Sequence, residues 1–225
     1  MSSILTKADI YRDTTTWYAT AAGFFSPSVL DFCRRKAGPR ILDLGCATGT
    51  YCLELAKCGF TCIGADTNAD YVDKARRRGV EAVVFRERLP FPDHAFDTVI
   101  LIEVLEHVVP VRALLEEVKR VARRNVLITV PCNDDITFLR EQKLAYEHML
   151  ELDHVNFFTK SSLAHELRAT FAHVDVVAGD PIYPHRLFPW WLRKPLTLAH
   201  QIGLLKPRIF SRLYAECRIL ETNHV

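Results

Sequence analysis

The segment Arg40-Ile41-Leu42-Asp43-Leu44-Gly45-Cys46-Ala47-Thr48-Gly49-Thr50-Tyr51 restricts the fold more than any other stretch of the chain. An apolar run carries an acidic residue near its end, a glycine-spaced turn follows, and Cys52-Leu53-Glu54-Leu55-Ala56 then has the spacing of an amphipathic helix. A strand, a tight loop and a helix in that order make the opening unit of an α/β sheet. Gly45 and Gly49 let backbone approach a ligand where a Cβ would block it, and Asp43 offers a carboxylate at the strand end. A nucleotide-type molecule with polar edges suits such a turn. The turn by itself does not choose between NAD and S-adenosylmethionine.

The alternation continues along the chain. Strand-like runs cover 41–44, 60–65, 80–85, 96–102 and 125–130. Between them, helical patterns run from the glycine turn to about Cys58, over 67–78, and over 111–121, where Leu114, Leu115, Val118 and Val121 share a face. Thr67 is the expected N-cap of the second of these helices and Gly79 its stop. Ser26-Pro27 opens an earlier helix that ends at Gly38. Continuous apolar strands separated by helices predict a parallel sheet covered on both faces.

With 49% hydrophobic and 25% charged residues, 225 residues build an ample core, as one domain over 1–225. A net charge of +2 supplies no argument for nucleic acid. The seven cysteines include no C-x-x-C pair, which fits reduced thiols better than disulfides or zinc. The N-terminus shows no apolar signal region and no run reaches the ~20 apolar residues of a membrane span, so a cytoplasmic protein is expected. Two segments stand outside the alternation. Residues 1–24, within an N-terminal helical region 1–38, carry Tyr11, Trp17, Tyr18 and Phe24, with Phe25 next, and are expected as a lid over the sheet. Residues 181–212 hold Phe188, Trp190, Trp191, Phe210 and six Arg/Lys with no acid, and are expected as a cap or an interfacial helix before a last strand at 213–221.

Asp66 closes the second strand about 20 residues after the first glycine, where a carboxylate accepts hydrogen bonds from ribose hydroxyls. The features that select a cofactor come later. Leu89-Pro90-Phe91-Pro92-Asp93, Phe96-Asp97 and Glu103-Val104-Leu105-Glu106-His107-Val108 resemble class I S-adenosylmethionine-dependent methyltransferases, in particular the small-molecule branch with ubiquinone-biosynthesis O-methyltransferases. The resemblance runs from Ile41 to about Phe171 and includes His154-Val155-Asn156-Phe157-Phe158-Thr159. It implies a Rossmann-like, doubly wound, mostly parallel seven-stranded sheet with the last strand antiparallel and a cofactor core over 39–180. It also implies that Asp43, Gly45, Cys46, Ala47 and Gly49 hold the methionine part of the cofactor, that Asp66 takes the ribose, and that Thr67 and Asn68 flank the adenosine. Glu103 would lie near the amino group and the sulfonium. Two positions depart from the family pattern: Ala47 replaces a usual glycine, and Phe85 stands where an acid often meets adenine, leaving stacking by Phe85 or a contact from Glu87. Asp97 reads as a structural aspartate.

Methyl transfer to a hydroxyl needs an aligned nucleophile and a base. Glu106, His107 and His154 are the candidates for that work. The expected reaction is transfer from S-adenosylmethionine, leaving S-adenosylhomocysteine, to a small-molecule hydroxyl. Glu103-x-x-Glu106-His107 with a distant His154 is also similar to RNA 3′-terminal 2′-O-methyltransferases, in which such residues hold a divalent metal. A metal-assisted RNA ribose methyltransferase is thus the alternative, with the metal itself the less favoured expectation. A non-catalytic cofactor-binding partner subunit stands third, and an NAD-dependent oxidoreductase fourth. An acidic or lipid-like small molecule is the expected partner, with membrane contact through 181–212 and nucleic acid disfavoured; Arg186, Arg193, Lys194, Lys206, Arg208 and Arg212 would meet its negative charge.

Overall fold

The computed structural model describes residues 24–144, 146–151, 153–183 and 189–219. The lid expected over 1–24 lies outside them except for Phe24, as do Arg186 and Phe188. Helix α1 (Pro27–Lys36) leads into β1 (Arg40–Leu44), α2 (Thr50–Lys57), β2 (Thr61–Asp66), α3 (Ala69–Arg77), β3 (Ala82–Val84) and β4 (Phe96–Ile102). A single 3-10 turn (Leu105–His107) precedes α4 (Val111–Val121) and β5 (Ala122–Pro131). Then come α5 (Ile136–Glu141), a second 3-10 turn (Glu147–Leu150), α6 (Lys160–Arg168), β6 (His173–Ile182), α7 (Trp190–Gln201) and β7 (Ile209–Arg218).

The strands form one seven-stranded sheet in the order β3-β2-β1-β4-β5-β7-β6, parallel except that β7 runs antiparallel to both neighbours. Successive residues in a strand point to opposite faces, and here both faces are dry. Leu42 and Leu44 of β1, Val99 and Leu101 of β4, and Val126 and Ile128 of β5 pack on one side with Leu115 and Val118 of α4 and Leu163 and Leu167 of α6. The residues in between, Ile41, Ile100 and Leu127, face the other side with Val29 and Cys33 of α1 and Leu55 of α2. The continuous apolar strands are therefore two interleaved half-cores, as a doubly wound sheet requires.

The element ends correct several expectations. Strand β2 extends to Asp66, and α3 begins only at Ala69, capped by Asn68, whose side-chain oxygen accepts from Asp70 N at 2.9 Å and Tyr71 N at 3.4 Å. Thr67 is not the cap. Two backbone-bonding strands flank β7, so it starts at Ile209, before the expected 213, and the segment it shares with β6 reduces the insertion to 183–208. Pro181 pairs within β6 opposite Phe210, a position open to proline because β6 is the edge of the sheet. Asp97, 4% exposed, accepts from Arg40 N at 3.1 Å and pairs with Arg123, a structural role at the start of β4.

Candidate active site

The parallel strands β1, β2, β4 and β5 end on one edge, and so does β6. On that edge the turn after β1 is folded by backbone bonds to β2: Gly45 N and Cys46 N both donate to Ala65 O, at 2.8 and 3.2 Å. Asp66 holds the loop's next donor. Its Oδ2 accepts from Ala47 N at 2.8 Å and its Oδ1 from Asn68 N at 2.9 Å, leaving a lone pair on each oxygen for a further donor. Gly45 (φ 81°) abuts Val104, whose Cγ2 would lie 2.6 Å from an added Cβ. Gly49 (φ 76°) starts α2 in the left-handed region with Val80 Cγ2 2.8 Å from where a Cβ would be. Ala47 also has a positive φ, 44°, which gives the physical reason for glycine at this position.

Asp43 is 3% exposed, and among the described residues its carboxylate has the Cys52 thiol as a partner, Sγ to Oδ2 3.5 Å, and no cation. Burial pushes its acid up to about 7. A buried carboxylate of that kind fits a cationic ligand, which restores the charge that burial disfavours. Thr67, Asn68 and Glu87 line the far end of the same edge and are exposed, Asn68 with its carbonyl used as the cap of α3. Phe85 is 8% exposed and packed in the main core, while Glu87 beside it is exposed between Arg86 and Arg88.

A second constellation lies one turn beyond Val104. Ligand atoms of Glu106, His107 and His154 all lie within 4.8 Å of one another. Residues distant in sequence meet because the chain around His154 is laced to the 3-10 turn. Val155 N and Asn156 N donate to Glu106 O at 2.8 and 3.1 Å, and Asn156 Nδ2 donates to Leu105 O and Val108 O, both at 2.8 Å. The His107 and His154 rings meet edge to face with centroids 4.7 Å apart, and His107 Nδ1 is 3.3 Å from Asp153 Oδ2. Glu106 is 1% exposed, yet neither of its carboxyl oxygens has a hydrogen-bond partner among the described residues, and His154 Nδ1 is equally unpaired. Burial, with the Glu103 charge second, raises the Glu106 acid well above the usual carboxylate range. Burial and then His107 lower His154, which keeps that imidazole neutral at pH 7.

A family profile described as "Methyltransferase domain" matches residues 19–170. The chain belongs to that methyltransferase family. Its fold is that of the class I S-adenosylmethionine-dependent methyltransferases. It is 40% identical over 87 residues to a demethylmenaquinone methyltransferase from Mycobacterium sp. (strain KMS), covering 38% of each chain. It is 34% identical over 117 residues to "Probable tRNA methyltransferase 9B" of Bos taurus, covering 51% of this chain and 25% of that one. The match thus spans only about a quarter to two fifths of the length of these curated relatives. Among solved structures, a SAM-dependent methyltransferase from Archaeoglobus fulgidus superimposes with a TM-score of 0.61 at 18% identity, over 85% of this chain and 93% of that one. That likeness concerns the fold alone.

Several groups of this methyltransferase site carry little signal in the sequence. His148, its Nε2 3.1 Å from Asn133 Oδ1, stacks on Tyr146 and lies 6.1 Å from the His154 ring; burial, and His154 after it, lower it to about 4. Arg212 belongs to β7 and is not a free cation for substrate: its Nε donates to Glu103 Oε1 at 3.0 Å and it pairs with Asp180. Glu103 also accepts from Thr129 Oγ1 at 2.7 Å, so at least one of its oxygens is turned toward β5 and β7. Both carboxylates that hold Arg212 sit at φ 53°, in the left-handed region that few non-glycine residues adopt. Arg208, too, is engaged, 4.2 Å over the Phe138 ring and 3.8 Å from Asp135.

Proposed function

We propose that the protein transfers the methyl group of S-adenosylmethionine to a hydroxyl oxygen of a small-molecule acceptor. Asp43 and the backbone of Gly45, Cys46, Ala47 and Gly49 would hold the methionine part, Asp66 the ribose, and Glu87 with Thr67 and Asn68 the adenine end. The cofactor supplies a methyl already activated by its sulfonium. The chain supplies an acidic edge for the cofactor's positive charge, a fixed acceptor position and a proton acceptor.

The observation that carries this reading is a pair of unpaired polar groups, the buried Glu106 carboxyl and His154 Nδ1, on residues whose ligand atoms come within 4.8 Å and which adjoin the glycine turn through Val104. Buried polar atoms without partners are rare and costly, and an acceptor hydroxyl would satisfy both. Neutral His154 takes the proton; Glu106, held toward its protonated form, donates to the acceptor. The resemblance to a demethylmenaquinone methyltransferase favours an aromatic, quinone-type acceptor.

The same geometry favours a second reading in which a divalent ion assists. Two imidazoles and a carboxylate converging within 4.8 Å suit Mn²⁺ or Zn²⁺, and a bound ion would polarise the acceptor oxygen. A vicinal diol, on a catechol or on the terminal ribose of an RNA, would then be the acceptor. One experiment tests both: methyl transfer from labelled cofactor to phenols, catechols and 3′-hydroxyl oligonucleotides, with and without chelator, alongside Mn²⁺ titration followed by electron paramagnetic resonance. Glu106→Gln and His154→Ala are expected to lower turnover by about 10²–10⁴ while S-adenosylhomocysteine affinity stays within roughly twofold. Undiminished turnover in both variants would sink the assignment. Methylation confined to oligonucleotides, lost with chelator, would select the metal-assisted reading.

A further inference from the structure

Helix α7 has two apolar sides. Leu192, Leu196 and Ala199 are half-buried, while Trp191, Pro195, Leu198 and Ile202 follow one another at i, i+4, i+7 and i+11 and are all exposed. Trp191 is 59%, Leu198 56% and Ile202 68% exposed, and Trp190 and Leu204 at either end are 77% and 75% exposed. Covering such groups with solvent is unfavourable, and contiguous apolar surface of this kind marks a binding face. Lys194 and Lys206 are exposed beside the stripe, and residues 181–212 contain no Asp or Glu.

We infer that residues 189–208 dock the protein on the surface of an anionic phospholipid bilayer, with α7 lying in the headgroup plane. Charge selects this occupant. A two-fold dimer through the same face would set the basic patch against its own copy with no acid to receive it. Aliphatic Leu198, Ile202 and Leu204 have no counterpart on a nucleic acid, whereas paired tryptophans with lysines on the flank match the bilayer interface. Twelve residues interrupted by Pro195 are too few to span a bilayer, and no described helix is long and apolar enough to do so. The register Ile182↔Ile209 and Pro131↔Arg212 puts both ends of the segment on the sheet edge that carries Asp43, Asp66 and the Glu106 cluster. Docking therefore turns the catalytic edge toward the membrane. Resting on the methyl-transfer reading, it follows that the acceptor is an apolar molecule reached from the lipid phase.

Sedimentation of the full chain with vesicles tests the docking with no cofactor or acceptor present, so its outcome is independent of the catalytic assignment. Vesicles of phosphatidylcholine alone are expected to bind weakly, and those with a third phosphatidylglycerol strongly, with the difference abolished by 0.5 M salt. Lys194→Glu with Lys206→Glu, and separately Trp191→Ser with Leu198→Ser, are expected to lower partitioning by at least about tenfold with unchanged circular dichroism. A chain that stays in the supernatant with both vesicles would overturn the inference. So would binding that neither double variant weakens, or a dimer in light scattering that Trp191→Ser with Leu198→Ser disperses while vesicle binding is absent.

Discussion

Asp43 shows how a single side chain couples folding to ligand. In the folded chain its acid titrates at about 7, against 3.8 for the ordinary group, because burial removes the water that would solvate the charge. Between those values the folded state holds a proton that the unfolded chain has released. Stability therefore falls as pH rises through that window and is flat above it, a cost of at most ~4 kcal/mol. A cationic ligand reverses the balance by favouring the ionised form. Calorimetry with S-adenosylmethionine is expected to show affinity rising roughly tenfold from pH 6 to pH 8. Asp43→Asn should remove that dependence, weaken binding, and make the melting temperature less sensitive to pH between 4 and 7; pH-independent binding in the parent protein would contradict the role. The position of Asp43 was legible because its signal is local, a carboxylate in the strand just ahead of a glycine turn. The conformation of Ala47 was not: a side-chain letter does not reveal that φ is 44°, only that a glycine pattern has been broken.

At the scale of elements, the site is set by short segments pinned to helices and turns. Asn156 is the main pin of the loop that carries His154, through two bonds of 2.8 Å to carbonyls on either side of the Glu106 turn. Asn156→Ala is expected to cost about 2 kcal/mol in denaturant unfolding, since two carbonyls lose a half-buried donor. It should also lower turnover through displacement of His154, with S-adenosylhomocysteine affinity unchanged; loss of affinity instead would place the defect in the cofactor turn. The Leu-Pro-Phe-Pro-Asp run behaves likewise. Arg120 of α4 donates to Phe91 O and Asp93 Oδ1, each at 2.8 Å, and Glu117 accepts from Leu89 N at 2.8 Å. The sequence exposed the run as a motif but not Glu117 and Arg120 as its clamp, because polar residues on an amphipathic helix look alike until their partner is known. Strand and helix identities in the alternating region followed from periodicity, while the ends of β2, α3 and β7 depended on pairing and capping partners. His148 escaped for the same reason: it joins the histidines only through the geometry of the turn it sits in.

Across the whole molecule, the order β3-β2-β1-β4-β5-β7-β6 gathers acidic Asp43, Asp66 and Glu103 on one edge while the apolar halves of every strand face inward. A ligand that bridges β1, β2 and β4 adds a further tie between elements that already meet through the sheet and its loops. S-adenosylhomocysteine at about a hundred times its dissociation constant is expected to stabilise the fold by ~2.7 kcal/mol, and so to raise the melting temperature by about 5–10 °C. NAD at equal concentration should leave it unmoved, and an equal shift with NAD would return the glycine turn to the dinucleotide class. The seven-stranded plan was readable from the resemblance and from the run of apolar strands; the edge strand β6 was obscured by Pro181 and by alternate exposed positions. The pairing of Ile182 with Ile209 has one more consequence. Because the strands flanking α7 meet as neighbours, the intervening residues form a cassette with adjoining ends, whose exchange alters neither chain path nor strand order. The segment around α7 can therefore diversify in evolution independently of the sheet and its glycine turn.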